Sequence, residues 1–470
     1  VNELTLAAGK PARSLALARY VVSAGAFLSN VSASMMNVVL IDVGITYGIG
    51  IATVQWSVTL YLLVIASILP LMGKLGDMKG RRAIHNSGFI LFAAGSCCCA
   101  LAPSYGLFLL ARIVQGAGAA MYQAMNMALV VKLAAPENRG RAIGIVSSFV
   151  AAGTIAGPSL GGIVVQWFHW KAAFWFLSGI AFTLWLLAQW TIPKRLDESR
   201  AGSAEHLDLI GAGMFAVVLG SLAFTLNYAS GDHDSSLALF VPLLILIASL
   251  LILARWIHPG RWERGLGQPF LPADLLANRP FVLGCITSIA CYLSVFSTQV
   301  VMPTFLRADL GLAPAVAGLI MISHPAALIV IAPIAGECVD RYGAARVLMT
   351  GMAMMGGVLL ILGFLNERTP IWMIVICLLL LGSATGMFTS PNNSMTLSSV
   401  EEGRSGFAAS MMALSRNIGM MLGAVIGGTL GILMRNMMFD ITAALIFVLL
   451  ILQLLMSRRR EKAKLRYRLK

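Results

Sequence analysis

Apolar windows of about 20 residues, separated by short polar clusters, recur along the chain from near Ala18 to Met456. A helix rising 1.5 Å per residue needs about 20 apolar residues to cross roughly 30 Å of hydrocarbon, so each window predicts a membrane-spanning helix. The windows are 18–42, 54–73, 83–102, 106–132, 142–165, 170–192, 207–229, 236–257, 281–305, 314–335, 345–365, 370–393, 405–432 and 437–456. Fourteen spans place both ends of the chain on one side, in an all-α integral membrane fold.

Composition agrees: 58% of residues are hydrophobic and only 11% charged, against about 25% charged in a soluble domain. A net charge of +14 would suggest nucleic acid in a soluble protein. Here the charges sit between the apolar windows, which excludes that reading. Of the 34 Lys and Arg, Lys171, Arg307, Arg368 and Arg435 fall on one side, and Arg112 and Arg416 lie inside helices. The rest share the side of the termini, so the positive-inside rule puts both termini in the cytoplasm and the chain in the inner membrane. A basic set from Arg458 to Lys470 closes the chain where the last helix is expected to end, as a tail for anionic headgroups. The first 16 residues carry no apolar core, so the first helix is expected to be retained. Seven cysteines lie in or beside apolar windows without metal-type spacing and read as buried, reduced thiols.

A repeat organises the chain. Gly73-Lys-Leu-Gly-Asp77-Met-Lys-Gly80-Arg81-Arg82 follows the second helix, and Gly336-Glu-Cys-Val-Asp340-Arg341-Tyr-Gly343-Ala-Ala-Arg346 follows the tenth. Both read G-x-x-x-D-x-x-G with a basic residue after it. Gly allows a tight turn, Asp can cap a helix N-terminus and Arg can bridge to a neighbouring helix end. Two six-helix halves follow: 1–195 as an N-terminal bundle, 281–470 as a C-terminal bundle with a basic tail, and 196–280 as two additional helices with linkers.

Helix four carries Arg112, Gln115, Gly116 and Gly118; a mid-membrane arginine costs about 2.5–3.5 kcal/mol on insertion scales, so it should face polar surroundings. Helix five carries Gly153, Gly157, Pro158, Gly161 and Gly162, small residues four apart that let backbones approach, with a proline that permits a bend. Ser390-Pro391-Asn392-Asn393 is expected to break or end helix twelve. Arg416-Asn417 stands in helix thirteen with Gly419, Gly423, Gly427 and Gly428.

These runs resemble the major facilitator superfamily over nearly the whole chain, and most closely its fourteen-helix drug:proton antiporter-type exporter branch. The resemblance implies the major facilitator fold, two pseudo-symmetric six-helix bundles with the seventh and eighth helices inserted between them. It implies a conformational latch at Gly73, Asp77, Gly80 and Arg81, with Asp340, Arg341 and Arg346 in the second copy. It links Arg112 to proton coupling or substrate contact, and makes Gly153, Gly157, Pro158, Gly161 and Gly162 an exporter-type helix motif.

One departure matters. Exporters of this branch carry D-x-x-x-x-N-V-A-L-P in the first helix, whereas this chain has Ser32-Ala-Ser-Met-Met-Asn37-Val-Val-Leu-Ile41. Serine carries no proton, and no Asp or Glu lies mid-span in the predicted helices. His324 is the remaining mid-helix candidate for proton coupling, because histidine titrates near neutral pH; an ordinary structural histidine is the competing reading. With the first-helix acid gone and Arg112 and Arg416 kept, charge complementarity favours anionic or zwitterionic amphiphiles over organic cations. Asn30, Asn37, Trp56, Tyr61, Tyr122, Gln123, Asn126, Tyr292 and Gln299, with Asn392 and Asn393, are the polar and aromatic candidates for a bulky organic substrate. The 25 methionines read as adaptable packing rather than a copper path.

The function expected is secondary active transport of a small or amphipathic organic molecule, drug-like or metabolite, by alternating access and in the export direction. Import, lipid or organic-anion flipping, and ligand reception without transport are the alternatives. G-x-x-x-x-G-K-[ST] and H-E-x-x-H are absent from the sequence, and Gly157-Pro158-Ser159-Leu160-Gly161 matches G-x-S-x-G only inside an apolar helical window rather than at a strand-to-helix turn, so neither ATP hydrolysis nor another enzymatic activity is expected. No cofactor or metal is called for; the expected partners are the substrate, the bilayer and protons, with a monomer as the working unit.

Overall fold

A computed structural model of the chain describes residues 12–133, 139–193, 208–228, 237–257, 277–400 and 405–468. The side chains of Asp77, Asp340 and the basic residues from Arg458 onward lie outside the described residues.

The described residues form fourteen long helices. They are α1 (Ala12–Tyr47), α2 (Trp56–Lys79), α3 (Arg81–Leu101), α4 (Tyr105–Lys132), α5 (Arg139–Trp167), α6 (Lys171–Thr191), α7 (Leu209–Tyr228) and α8 (Leu237–Ile257). Then come α9 (Arg279–Thr304), α10 in two segments (Pro314–Met321 and Ser323–Tyr342), α11 (Ala344–Gly363), α12 (Ile371–Leu397), α13 (Ser405–Gly428) and α14 (Arg435–Arg468). Single turns stand at Ile51–Val54 and Leu430–Leu433, and a π turn, Phe305–Asp309, continues α9. Every predicted window overlaps one of these helices. Among the described residues ten are long and apolar enough to cross a membrane, and α7 and α8 contribute shorter apolar stretches, Ile210–Thr225 and Pro242–Trp256. Exposed Trp167, Phe168, Trp190 and Trp372 near helix ends suit the headgroup level of a bilayer.

Helix pairing repeats along the chain. α1 packs on α5, α2 on α4, and α3 on α4 and α6; eight helices later α9 packs on α13, α10 on α12, and α11 on α12 and α14. The two sets meet where α2 lies on α13 and α5 on α10, while α7 pairs with α8 and rests on α2 and α13. One apolar core joins α1 to α8 with Phe296 and Met421, and a second lies within α9 to α14.

Glycine makes the closest of these contacts possible. Gly153, Gly157 and Gly161 lie on α1 against Phe27, Ser34 and Met35, and Gly162 reaches α10, where an added Cβ would stand 2.6 Å from the Pro314 carbonyl oxygen. Gly419, Gly423 and Gly427 lie on α9 against Ile289, Leu293 and Ser297, and Gly428 reaches Gln55 at the head of α2. The spacing of the two sets is identical. In each, three glycines bind a neighbour in the same set of helices and the fourth touches the other set.

Three expectations change. Gly73 is interior to α2, whose helix runs to Lys79, and the turn falls at Gly80, with φ +100°; the second copy turns at Gly343, with φ +85°. Only glycine readily takes these angles, whereas nothing constrains the helical Gly73. Asp77 and Asp340 stand in the last turns of α2 and α10, and the capping expected of their side chains falls outside the described residues. Pro391 neither breaks nor ends α12, which continues to Leu397, because Asn392 anchors the stretch to α9. The last helix does not stop at Met456 but extends through the basic segment to Arg468, a stretch rich in Arg, Lys and Glu that favour helix.

Candidate functional site

The connection from α1 to α2 lies at the other end of α2 from the α2–α3 turn, and the face that carries it is here the distal face. A small cavity lies between the two sets of helices. Ser29, Asn30 and Ala33 of α1, Tyr61, Leu62 and Ile65 of α2, Gln123 of α4, and Arg416, Asn417 and Met420 of α13 line it. Its volume is about 10 Å³, far below the roughly 300–1,000 Å³ of open ligand pockets, so the helices close tightly over these residues. Asn417 Nδ2 donates to Ala413 O at 2.8 Å and to Gln123 Oε1 at 3.4 Å, bridging α13 and α4. Asn30 Nδ2 donates to Ala26 O, and Tyr61 Oη donates to Ser29 O. The amides and the phenol spend these donors on protein oxygens. Arg416, by contrast, makes no hydrogen bond or ion pair among the described residues.

Behind Tyr61 lies the fully buried Arg112. Its guanidinium stacks 4.2 Å from the Tyr61 ring centroid, and Nε donates to Ser57 O at 3.0 Å. Nη1 donates to Ser32 Oγ at 3.2 Å and to Gln115 Oε1, while Gln115 Nε2 donates to Ser96 Oγ at 2.7 Å. Nη2 is buried with no acceptor. Ser32, where the resemblance leads to the expectation of an acid, therefore sits directly on this arginine, which has hydrogen-bond acceptors but no counterion among the described residues. Arg112 is a wall behind the cavity, not part of its lining.

Toward the distal face the two sets are joined. Arg307, in the π turn after α9, donates from Nη1 to Asp42 Oδ2 at 2.9 Å and to Val38 O at 2.8 Å, and from Nη2 to Asp42 Oδ1 at 3.3 Å. Gln55 Nε2 donates to Ala424 O at 2.9 Å. Gly162 and Pro158 of α5 lie against Pro314 and Gly318 of α10. The sequence marks Arg307 only as a charge between spans, and nothing local signals that residues 265 positions apart pair.

The other sequence candidates disperse. Asn37 is buried with its amide unpartnered, and the Gln299 Oε1 is likewise buried without a donor. Trp56 packs on Phe224 of α7 at 6.3 Å, Tyr122 stacks on Phe89 at 5.0 Å, and Asn126 lies beside Tyr122. Tyr292 packs against both apolar cores. Asn392 Nδ2 donates to Ser288 Oγ at 2.8 Å and Gly284 O at 3.2 Å, whereas Asn393 is half-buried outside the cavity. His324 opens the second segment of α10, buried, with Nε2 3.4 Å from Thr385 Oγ1 and Nδ1 unpartnered. The structure does not bring it to the cavity lining. A second buried histidine, His85 of α3, bonds through Nδ1 to Asn86 Oδ1 at 3.1 Å and meets Phe89 edge-on. It lies inside the predicted window 83–102, where nothing in the spacing of its neighbours singles it out. At the latch, Arg341 and Arg346 are exposed, and Arg81 interacts within the protein.

Comparison with known proteins places this geometry. The Major Facilitator Superfamily profile matches residues 22–271 and 284–468. The riboflavin transporter RibZ of Clostridioides difficile is 30% identical, covering 86% of this chain and 85% of the relative. The multidrug resistance protein Stp of Mycobacterium tuberculosis is 29% identical over 86% of the chain and 74% of its own length. The drug efflux pump JefA of the same organism is 28% identical over 88% and 81%.

Proposed function

The chain belongs to the major facilitator superfamily, and on that footing we propose that it is a secondary active exporter of a small amphipathic organic molecule. Its transmembrane part is read as fourteen spans: pseudo-symmetric bundles of α1–α6 and α9–α14, with α7 and α8 inserted. Both termini are placed in the cytoplasm by the charge bias, in the inner membrane, with a monomer as the working unit. The observation that carries the reading is the polar cavity between the two sets of helices, sealed distally by contacts that cross between them. Alternating access asks for a central site with separable seals on either side. The distal seal rests on one ion pair, one amide bond and glycine contacts, all of which can part without unfolding a helix. Export is supported by the helix-five motif and by efflux relatives, although RibZ is named only as a riboflavin transporter.

The energy source is an ion gradient. With Ser32 at the position where an acid is expected, the buried histidines His324 and His85 are the candidates for proton exchange. The test is flux of a substrate panel in proteoliposomes, with and without an imposed pH gradient. Proton-coupled export predicts gradient-dependent flux that His324→Ala or His85→Ala abolishes; flux indifferent to the gradient refutes proton coupling, and binding without flux for every compound refutes transport.

A further inference from the structure

We infer that Arg416 is the recognition group for a carboxylate-type anionic head on the transported molecule, an inference that rests on the transporter reading above. An arginine half-buried at mid-height in a membrane protein carries a cost of about 2.5–3.5 kcal/mol on insertion scales unless its charge is answered. Nothing described in this protein answers it: Arg416 has neither hydrogen bond nor ion pair among the described residues. Among the buried described side chains the one acid is Asp208, at the head of α7, where Trp256 Nε1 donates to it. Arg416 nonetheless lines the cavity between the two sets of helices. Such a group holds a planar fork of donors ready for an oxyanion.

The surroundings narrow the ligand. Asn417 spends its amide hydrogens on Ala413 O and Gln123 Oε1 and Asn30 donates to Ala26 O, leaving Arg416 as the charged donor in the cavity. Leu62, Ile65 and Met420 supply apolar walls. Arg112, behind Tyr61, adds a second positive charge with no carboxylate between them, so the local potential repels cations. A cationic head is thereby rejected, a neutral one leaves the guanidinium unanswered, and an anion with an apolar body satisfies both walls and charge.

The test uses the full protein in nanodiscs of zwitterionic lipid and matched aromatic ligands on naphthalene and biphenyl scaffolds. Each scaffold bears a carboxylate, the corresponding carboxamide or a trimethylammonium group, and affinity is read by calorimetry. A charge-assisted hydrogen bond to the buried guanidinium makes the carboxylate about tenfold to a hundredfold tighter than its carboxamide, with the ammonium weakest. Arg416→Gln brings the carboxylate to carboxamide ratio to about one, and Arg416→Lys retains part of it. Gln123→Glu, which leaves Arg416 intact but puts an internal carboxylate beside Asn417, also abolishes the preference; it serves if Arg416→Gln fails to fold. No carboxylate preference in the native protein, or a preference that survives Arg416→Gln, overturns the inference. Carboxylate preference in binding without flux in proteoliposomes supports the anion site and refutes transport. Equal flux of carboxylate and carboxamide overturns the anion site while supporting transport.

Discussion

At the scale of single residues, the pairing of Ser32 with Arg112 explains how a buried guanidinium persists after loss of the acid expected in this branch. Hydrogen bonds from Nε and Nη1 and the Tyr61 ring take up most of the burden, and Nη2 is left over. Ser32→Asp places a carboxylate where the serine oxygen now stands, within reach of the unused nitrogen. A double-mutant cycle with Arg112→Gln, read by thermal unfolding in detergent, should give a coupling of about 1–3 kcal/mol. The new group can also take up and release a proton, so Ser32→Asp should give flux in proteoliposomes a dependence on the pH gradient stronger than the native protein has. A coupling near zero would mean that Arg112 is held by its neutral acceptors alone.

At the scale of helices, the two glycine faces decide which contacts can be close. Gly427→Ala pushes a methyl group to within 2.9 Å of the Ser297 carbonyl oxygen, and Gly423→Ala places one against Leu293 and Phe296. Each should cost about 1–3 kcal/mol by overpacking. Gly179→Ala meets nothing within 4 Å and should be neutral or stabilise by about 0.4–1 kcal/mol, since alanine restricts the unfolded chain. Thermal unfolding of the three variants checks the order. Much at this scale was legible beforehand, because helices must satisfy their own backbone in lipid and so follow the apolar windows. The glycines of α5 and α13 were legible as a list; what they touch was not, since a residue's neighbour across a helix pair depends on topology. The same reason hid the Arg307 and Asp42 pair, and explains why Pro391 looked like a helix end. One lost backbone bond is tolerated when a side chain such as Asn392 ties the helix down nearby.

At the scale of the whole molecule, the question is what holds the distal face shut. Arg307 and Asp42 are the one described ion pair joining α1 to the end of α9, with side chains 11% and 23% exposed. Such a pair falls between the roughly 1 kcal/mol of an exposed salt bridge and the roughly 3–5 kcal/mol lost when a buried one is broken. The glycine contacts of α5 with α10 and the Gln55 bond to Ala424 close the face beside it but carry no net charge. If the ion pair sets the closed state, Asp42→Asn and Arg307→Gln should each speed amide exchange in the distal ends of α1 and α9. The gain should be about tenfold for every 1.4 kcal/mol removed, with α3 and α11 unaffected. The swap Asp42→Arg with Arg307→Asp keeps the attraction and should recover most of the protection, whereas either single reversal, placing like charges together, should exceed the neutral variants. Hydrogen-exchange mass spectrometry of the reconstituted protein reads all five forms together. Unchanged exchange in the two neutral variants would assign the closed state to the glycine contacts instead, and the swap would then confer no recovery because nothing had been lost.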